Sequence, residues 1–141
     1  MQEISLDLLK KRLKRYPHLD ELERFLDRIE KTNLKLILLF GSLPKGRYTQ
    51  HSDMDVLCVF DRRFQDMTDR FMSSYAFSDG LVRPKNITLE EFKEGLISGN
   101  SFLHSIIPDS IILYRNLPKD EINHWIEQGK KNLNIRTISP Y

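Results

Sequence analysis

The sequence predicts a small α/β (α+β) protein in which helices pack on a mixed β-sheet. Two patterns indicate this fold class: apolar residues recur at helical spacing in several segments, and short continuous apolar runs lie between those segments. A chain of 141 residues with 40% hydrophobic and 30% charged residues also falls in the globular range. We expect residues 1–141 to form a single domain.

The N-terminal part, residues 1–33, is predicted to be helical. Apolar residues at near-helical spacing indicate a helix over residues 4–16, and Pro17 ends it because proline cannot continue a helix. The same spacing recurs more regularly from Leu19 onward. It predicts a second helix that extends to Asn33.

The central part, residues 34–115, is predicted to carry the sheet. Continuous apolar runs that are too short for helices predict buried strands at 34–40, 56–60 and 110–114. Residues 80–88 form a weaker strand pattern, in which Pro84 indicates an edge strand or a bulge because proline cannot donate to a ladder. Between the first two strands we expect a glycine-containing loop with at most one helical turn.

Helices are predicted to separate and follow these strands. Thr88 and Glu91 form the sequence pattern of a capping box, which predicts a helix that begins there and ends near Gly99. The other helical patterns cover residues 63–75, a single turn at 101–107, and 118–133, where Pro118 lies in the first turn. Residues 134–141 show no periodicity and are expected to lie outside the last helix.

Composition and charge narrow the functional class. A net charge of +2 gives no indication of nucleic-acid binding. The single cysteine, Cys58, is predicted to lie in a buried strand, which fits a reducing compartment. No apolar run approaches the roughly 20 residues that span a bilayer, and the N-terminus lacks the pattern of a signal peptide. We therefore expect a cytoplasmic protein that does not enter a membrane.

Asp53 and Asp55 are the candidate metal ligands. They are two residues apart at the start of a predicted strand, so their side chains project from the same face. Two carboxylates about 4 Å apart repel by roughly 4 kcal/mol at an effective dielectric of 20. Partial burial next to an apolar strand favours neutralisation by a hard divalent cation. The alternative is a pair of solvated acids in a turn before the strand.

Gly41 and Ser42 are the candidate phosphate-binding residues. A glycine that ends a buried strand permits a close approach of backbone and ligand, and backbone N–H groups in a turn capped by Ser42 can point at an anion. Lys45 and Arg47 are nearby candidates for contacts with phosphate. Each is as readily explained as a solvated loop charge.

The stretch FGSLPKGRYTQHSDMDVLCVF resembles the signature of the DNA-polymerase-β-like nucleotidyltransferase superfamily, and most of residues 30–115 resembles, more loosely, its minimal nucleotidyltransferases. The matching residues are Gly41, Ser42, Gly46, Ser52, Asp53 and Asp55. The resemblance implies the polymerase-β-like nucleotidyltransferase fold. It also implies that Asp53 and Asp55 hold Mg²⁺, with two ions expected, and that Gly41 and Ser42 bind the phosphates of ATP or another NTP.

One feature departs from the superfamily pattern. The resemblance implies a third carboxylate on a later strand, and the corresponding place falls near Arg83, where no acid stands. Asp79 is the nearest candidate. Three interpretations follow: Asp79 substitutes for that acid, the protein works slowly with two acids, or it binds nucleotide without turnover.

The resemblance implies two functions of different classes. The first is a Mg²⁺-dependent enzyme that transfers AMP from ATP to a hydroxyl, with a tyrosine of a small helical HEPN-type toxin as a candidate acceptor and an antitoxin role for this chain. The second is a catalytically weak module that binds nucleotide and neutralises a helical partner. A weaker alternative resembles the enzymes that modify aminoglycosides. Because a small domain offers little acceptor surface, we expect a partner protein or a second copy to supply it.

Overall fold

A computed structural model of the chain describes residues 1–138 and contains a five-stranded mixed β-sheet, which confirms the predicted α/β architecture. The strands lie in the order β1-β5-β2-β3-β4. Their bounds are Gln2–Glu3 for β1, Leu34–Phe40 for β2, Met54–Phe60 for β3, Val82–Thr88 for β4 and Ile111–Arg115 for β5.

The pairing of the strands brings several chain ends together at one end of the sheet. Strand β2 is antiparallel to both β3 and β5, whereas β3 is parallel to β4. The end of β2 therefore lies beside the beginnings of β3, β4 and β5. Gly41 follows β2 and Asp53 precedes β3, so the topology places both halves of the candidate site at this end.

Six helices cover the two faces of the sheet. Alternate strand residues point to opposite faces, so Ile37, Val56 and Cys58 join a core with the N-terminal helices, while Leu38 and Leu57 join a second core with the C-terminal helices. Fully burying each such side chain contributes roughly 1.5–3 kcal/mol. The helices are α1 Leu6–Arg12, α2 Leu19–Arg28, α3 Met67–Tyr75, α4 Leu89–Ser98, α5 Ser101–Ile106 and α6 Lys119–Ile138.

The N-terminal helices are shorter than the periodicity predicts. Helix α1 ends at Arg12 because Leu13 leaves helical torsion angles, and the chain then buries Tyr16 in the core. Helix α2 ends at Arg28 because Ile29 adopts extended torsion angles while its side chain is buried. The two-residue strand β1 was not predicted, because so short a segment carries no periodicity.

The middle helix α3 begins later than predicted. The side chain of Asp66 accepts a hydrogen bond from the backbone N–H of Asp69, so the helix starts at Met67 rather than at residue 63. Its apolar residues Met67, Phe71 and Tyr75 share a face, as the spacing predicts, but that face is exposed.

The elements after α3 agree well with the sequence, apart from the last helix. Strand β4 lies at the edge of the sheet, as Pro84 predicts, and both hydrogen bonds of the Thr88–Glu91 capping box are present. Helix α6 continues to Ile138, beyond the predicted end at residue 133, because no glycine or proline lies between residue 133 and Pro140. The predicted tail beyond residue 138 lies outside the described residues.

Cys58 is buried, as predicted, and burial raises the pKa of its thiol. None of the helices in residues 1–138 combines the length and the apolar character needed to cross a bilayer.

Candidate active site

Gly41 and Asp55 are in direct contact at the end of the sheet, because the antiparallel register of β2 and β3 pairs Phe40 with Asp55. A Cβ atom on residue 41 would lie 2.7 Å from Oδ2 of Asp55, and the backbone of Gly41 has φ +86°. Glycine is therefore favoured at residue 41 on two grounds: the left-handed backbone, and the Asp55 carboxylate, which a side chain at residue 41 would displace. The Gly-Ser and Asp-x-Asp parts of the motif thus depend on each other.

The two carboxylates lie close enough for the charge of one to act on the other, and Asp55 carries the larger electrostatic penalty. Burial raises the pKa of Asp55 above the ordinary aspartate value, and the negative charge of Asp53 raises it further. Both effects disfavour the ionised form, and a bound cation would relieve both. Carboxylate oxygens are the ligands that hard divalent ions prefer, so the two side chains fit Mg²⁺.

Arg83 lies near the position at which the superfamily resemblance implies a third acid. The parallel register of β3 and β4 pairs Arg83 with Asp55, and Nε of Arg83 lies 3.0 Å from Oδ2 of Asp53. The guanidinium partly offsets the rise in the pKa of Asp55. In the described part of the chain, no group of three Asp, Glu, His or Cys side chains could hold a metal ion.

Asp79, the other candidate acid, is engaged by two arginines of helix α2. Its Oδ2 accepts a hydrogen bond of 2.8 Å from Nε of Arg24, and its Oδ1 accepts one of 3.0 Å from Nη1 of Arg28. These hydrogen bonds hold the pKa of Asp79 below the ordinary value. Because both oxygens already have cationic partners, this geometry argues against Asp79 as the third acid, and its catalytic role stays a prediction.

The loop after Gly41 offers backbone donors without forming a helix. The amides of Gly46 and Arg47 donate to the carbonyls of Leu43 and Ser42, at 3.1 and 3.0 Å, and close the loop as turns. The amides of Ser42 and Leu43 donate to no group among residues 1–138. A phosphate here would therefore be bound by a turn rather than by a helix N-terminus.

The basic residues of this loop face an open polar depression. Lys45 and Arg47 line it together with Pro44 and Asp109, and its volume is about 310 Å³. The loop itself is anchored by Leu43, which is buried in the core beneath it. Both cations are thus on the surface beside the Gly-Ser turn, where they can attract an anionic ligand.

Tyr16 holds the backbone immediately before Asp53, a contact that the sequence did not indicate. Its hydroxyl donates a 2.5 Å hydrogen bond to the carbonyl of Ser52, and the Ser52 hydroxyl in turn accepts one of 2.9 Å from the amide of Thr49. Burial first, then the negative charges of Glu21 and Asp53, raise the pKa of Tyr16 to about 12. Tyr16 therefore stays protonated and fixes the residue that precedes Asp53.

Comparisons with known proteins identify the family and the fold. A family model described as "Nucleotidyltransferase domain" matches residues 19–131. A curated protein from Methanocaldococcus jannaschii, described as "Putative protein adenylyltransferase", is 32% identical over 84 residues, which cover 57% of this chain and 79% of that protein.

Two solved structures share the fold. One, described as a "putative nucleotidyltransferase" from Sulfolobus solfataricus, has a TM-score of 0.53 at 19% identity and covers 79% of this chain and 87% of its own. The other, described as "toxin-antitoxin with AMP-PNP", has a TM-score of 0.51 at 17% identity and covers 85% of this chain and 87% of its own.

Proposed function

The chain belongs to the nucleotidyltransferase domain family, and we propose that it transfers AMP from ATP to a hydroxyl group on a protein. One observation carries the proposal: Asp53 and Asp55 lie at the same end of the sheet as the Gly41-Ser42 turn, and the carboxylate of Asp55 packs directly on Gly41. A cation-binding pair next to free backbone donors is the arrangement that a metal-bound triphosphate requires.

The residues have separate roles in this proposal. Asp53 and Asp55 hold Mg²⁺, which supplies positive charge to the phosphate oxygens. The amides of Ser42 and Leu43 donate to the β and γ phosphates, as does the Ser42 hydroxyl. Lys45 and Arg47 attract the triphosphate from solvent, because they are exposed cations beside the turn.

The proposed reaction is an in-line displacement at the α phosphorus. The acceptor oxygen forms a bond to the α phosphorus while the bond from that phosphorus to the α–β bridging oxygen breaks, and pyrophosphate leaves with the bond electrons. The proton of the acceptor hydroxyl passes to solvent. No third carboxylate lies beside Asp53 and Asp55 in the described residues to accept it.

The lack of a nearby carboxylate to accept the proton favours an acceptor with a phenolic hydroxyl. A tyrosine hydroxyl ionises near pH 10, so it loses its proton far more readily than the aliphatic hydroxyls of serine and threonine. A site that lacks a third carboxylate as base is therefore better suited to tyrosine. This argument supports a tyrosine of a partner protein as the acceptor.

We propose a small helical HEPN-type toxin as that partner, with this chain as the antitoxin. The curated relative is described as acting on protein, and one structural neighbour is described as a toxin-antitoxin pair with AMP-PNP, an ATP analogue. Adenylylation of a toxin side chain would neutralise the toxin. The cytoplasmic location and any homo-oligomer stay predictions.

Label transfer from ATP tests the proposal directly. The protein is incubated with Mg²⁺ and a lysate of its native host, once with ATP labelled at the α phosphate and once with ATP labelled at the γ phosphate. We expect label on a protein only from the α position, and none with the Asp53→Asn/Asp55→Asn variant.

A matched control variant removes two acids that lie outside the site. The Asp27→Asn/Asp61→Asn variant has the same change in net charge, and both residues are exposed; it should transfer label like the wild type. Transfer of γ label would contradict the proposal. ATP binding without transfer would also contradict it, and would favour the nucleotide-binding module that neutralises its partner without chemistry.

A further inference from the structure

We propose that Arg83 serves as a built-in cation of the active site, so that Asp53 and Asp55 bind one divalent ion where the superfamily pattern implies two. This inference rests on the proposed function of the site, because it concerns the number of ions that accompany the nucleotide. Three observations carry it: the position of Arg83 in the sheet, its ion pair with Asp53, and the charge balance of the three side chains.

The sheet itself positions Arg83 beside the acids. Strands β3 and β4 are parallel, and Asp55 pairs with Arg83 one residue after Met54 pairs with Val82. Directly paired residues point to the same face of a sheet, so the guanidinium projects on the side where Asp55 carries its carboxylate. This placement is set by the backbone register and does not depend on the ion pair.

The ion pair joins Arg83 to the other acid. Nε of Arg83 lies 3.0 Å from Oδ2 of Asp53, and the side chains are 64% and 37% exposed. Ion pairs with this exposure add little to the free energy of unfolding, so stability does not explain why an arginine stands at this position. A role in the charge balance of the site explains it.

The charges of the three side chains define how many cations the site can hold. Asp53 and Asp55 carry two negative charges and Arg83 one positive charge, so the group has a net charge of −1 and becomes +1 with one divalent ion. Three carboxylates with two divalent ions also have a net charge of +1. Arg83 thus supplies, in one side chain, the net charge that a third carboxylate and a second ion would supply together. A second divalent ion would raise the charge to +3 and would face direct repulsion from the guanidinium.

Counting bound ions tests this inference without any measurement of turnover. The protein is mixed with one equivalent of an ATP analogue that carries a methylene group between the α and β phosphates, at concentrations at which the analogue is bound to protein, and bound Mn²⁺ is determined from the loss of the free-ion signal in electron paramagnetic resonance. We expect one Mn²⁺ per chain for the wild type and two for Arg83→Glu, which makes the side-chain charge −3.

Lys85→Glu is the matched control, because it makes the same charge change two residues farther along the same face of β4. We expect one Mn²⁺ for this variant. Three counts of bound Mn²⁺ would each overturn the role of Arg83 and leave the proposed function intact. They are two ions per chain in the wild type, one ion in a folded Arg83→Glu variant, and two ions in Lys85→Glu. No bound Mn²⁺ in any variant would overturn both. The wild-type count decides the inference even if Arg83→Glu fails to fold.

Discussion

Two clusters of aspartate and arginine in this protein differ in how many arginines contact the central carboxylates. At the end of the sheet, two carboxylates, Asp53 and Asp55, share the single cation of Arg83. Beside helix α2, Asp79 accepts hydrogen bonds from two arginines, one on each oxygen, and one of these arginines, Arg24, also binds Asp20. Burial and the charge of Asp53 raise the pKa of Asp55, whereas the hydrogen bonds from Arg24 and Arg28 lower the pKa of Asp79.

The difference shows that the number of cations per carboxylate decides the role of each cluster. A carboxylate with two arginine partners is satisfied and acts as a link between elements, here between α2 and the chain before β4. A carboxylate pair with one arginine retains negative charge that a divalent ion can neutralise. The same residue types therefore form a structural cluster in one place and the proposed cation site in the other.

The largest effect is expected when one acid is removed from each cluster in turn. Asp53→Asn should weaken Mg²⁺-dependent ATP binding by about 100-fold, because it removes a charged ligand of the ion. Asp79→Asn should leave that affinity within about twofold and lower the melting temperature slightly, since it breaks ion pairs on the surface. Calorimetric titration of both variants measures the contrast, and a comparable loss of affinity in Asp79→Asn would show that Asp79 is the third acid.

A smaller effect is expected at the glycine that contacts the acidic pair. Gly41→Ala should lower Mg²⁺-dependent ATP affinity about tenfold, because the new methyl group displaces the carboxylate of Asp55. Gly46→Ala is its control, since Gly46 also has positive φ, +72°, but nothing within 4 Å of the added atom.

Both alanine variants share the cost of a left-handed backbone, about 1–2 kcal/mol. The comparison therefore separates backbone strain from the contact with Asp55, with thermal unfolding as the second measurement. Equal affinities in the two variants would mean that the Asp55 carboxylate is not held against Gly41.

The carboxyl groups of the two clusters should also titrate at different pH values. A carboxyl carbon titration by NMR should place the midpoint of Asp55 above the ordinary aspartate value of about 3.9 and that of Asp79 below it. Divalent ions bind the ionised form, so Mn²⁺ affinity should fall as the pH drops through the raised pKa of Asp55, by up to about tenfold per pH unit. Midpoints in the reverse order would contradict the assignment of the cation site.

The smallest effect is expected on the free energy of unfolding when an acid is replaced in the metal-free protein. An ionised Asp55 with a raised pKa destabilises the folded state, and the penalty disappears as the pH falls through that pKa. Asp55→Asn should therefore stabilise the metal-free protein at pH 7 by about 1 kcal/mol or less, given the partial exposure of the site. Asp79 has the opposite sign: its contribution is present above the unfolded-state pKa and is lost as the pH falls through its lowered folded-state pKa. Unfolding in the presence of a chelator measures both.

Much of the fold and half of the site could be predicted from local sequence. Strand β2 follows from a continuous apolar run, the start of α4 from a capping box, and the acidic pair from the spacing of Asp53 and Asp55 after Gly41. Each of these signals is complete within about 15 residues. The site assignments themselves, like the single-domain interpretation of residues 1–141, stay predictions.

The other features of the site depend on contacts between distant parts of the chain, which the sequence did not predict. The approach of Arg83 to Asp53 requires the parallel register of β3 and β4, and the capture of Asp79 requires helix α2 to pack beside the loop before β4. Tyr16 reaches the carbonyl of Ser52 across 36 positions. No local periodicity encodes such contacts, which is why the sequence alone left open whether Asp79 accompanies the acidic pair and gave no indication of a role for Arg83.

A crystal structure with Mn²⁺ and the methylene analogue of ATP tests the assignment of the site most directly. The anomalous signal of manganese locates the ion independently of the protein model. We expect a single peak in contact with the carboxylates of both Asp53 and Asp55, with the triphosphate against the turn at Ser42. A peak elsewhere, or a triphosphate bound away from Gly41 and Ser42, would contradict the account.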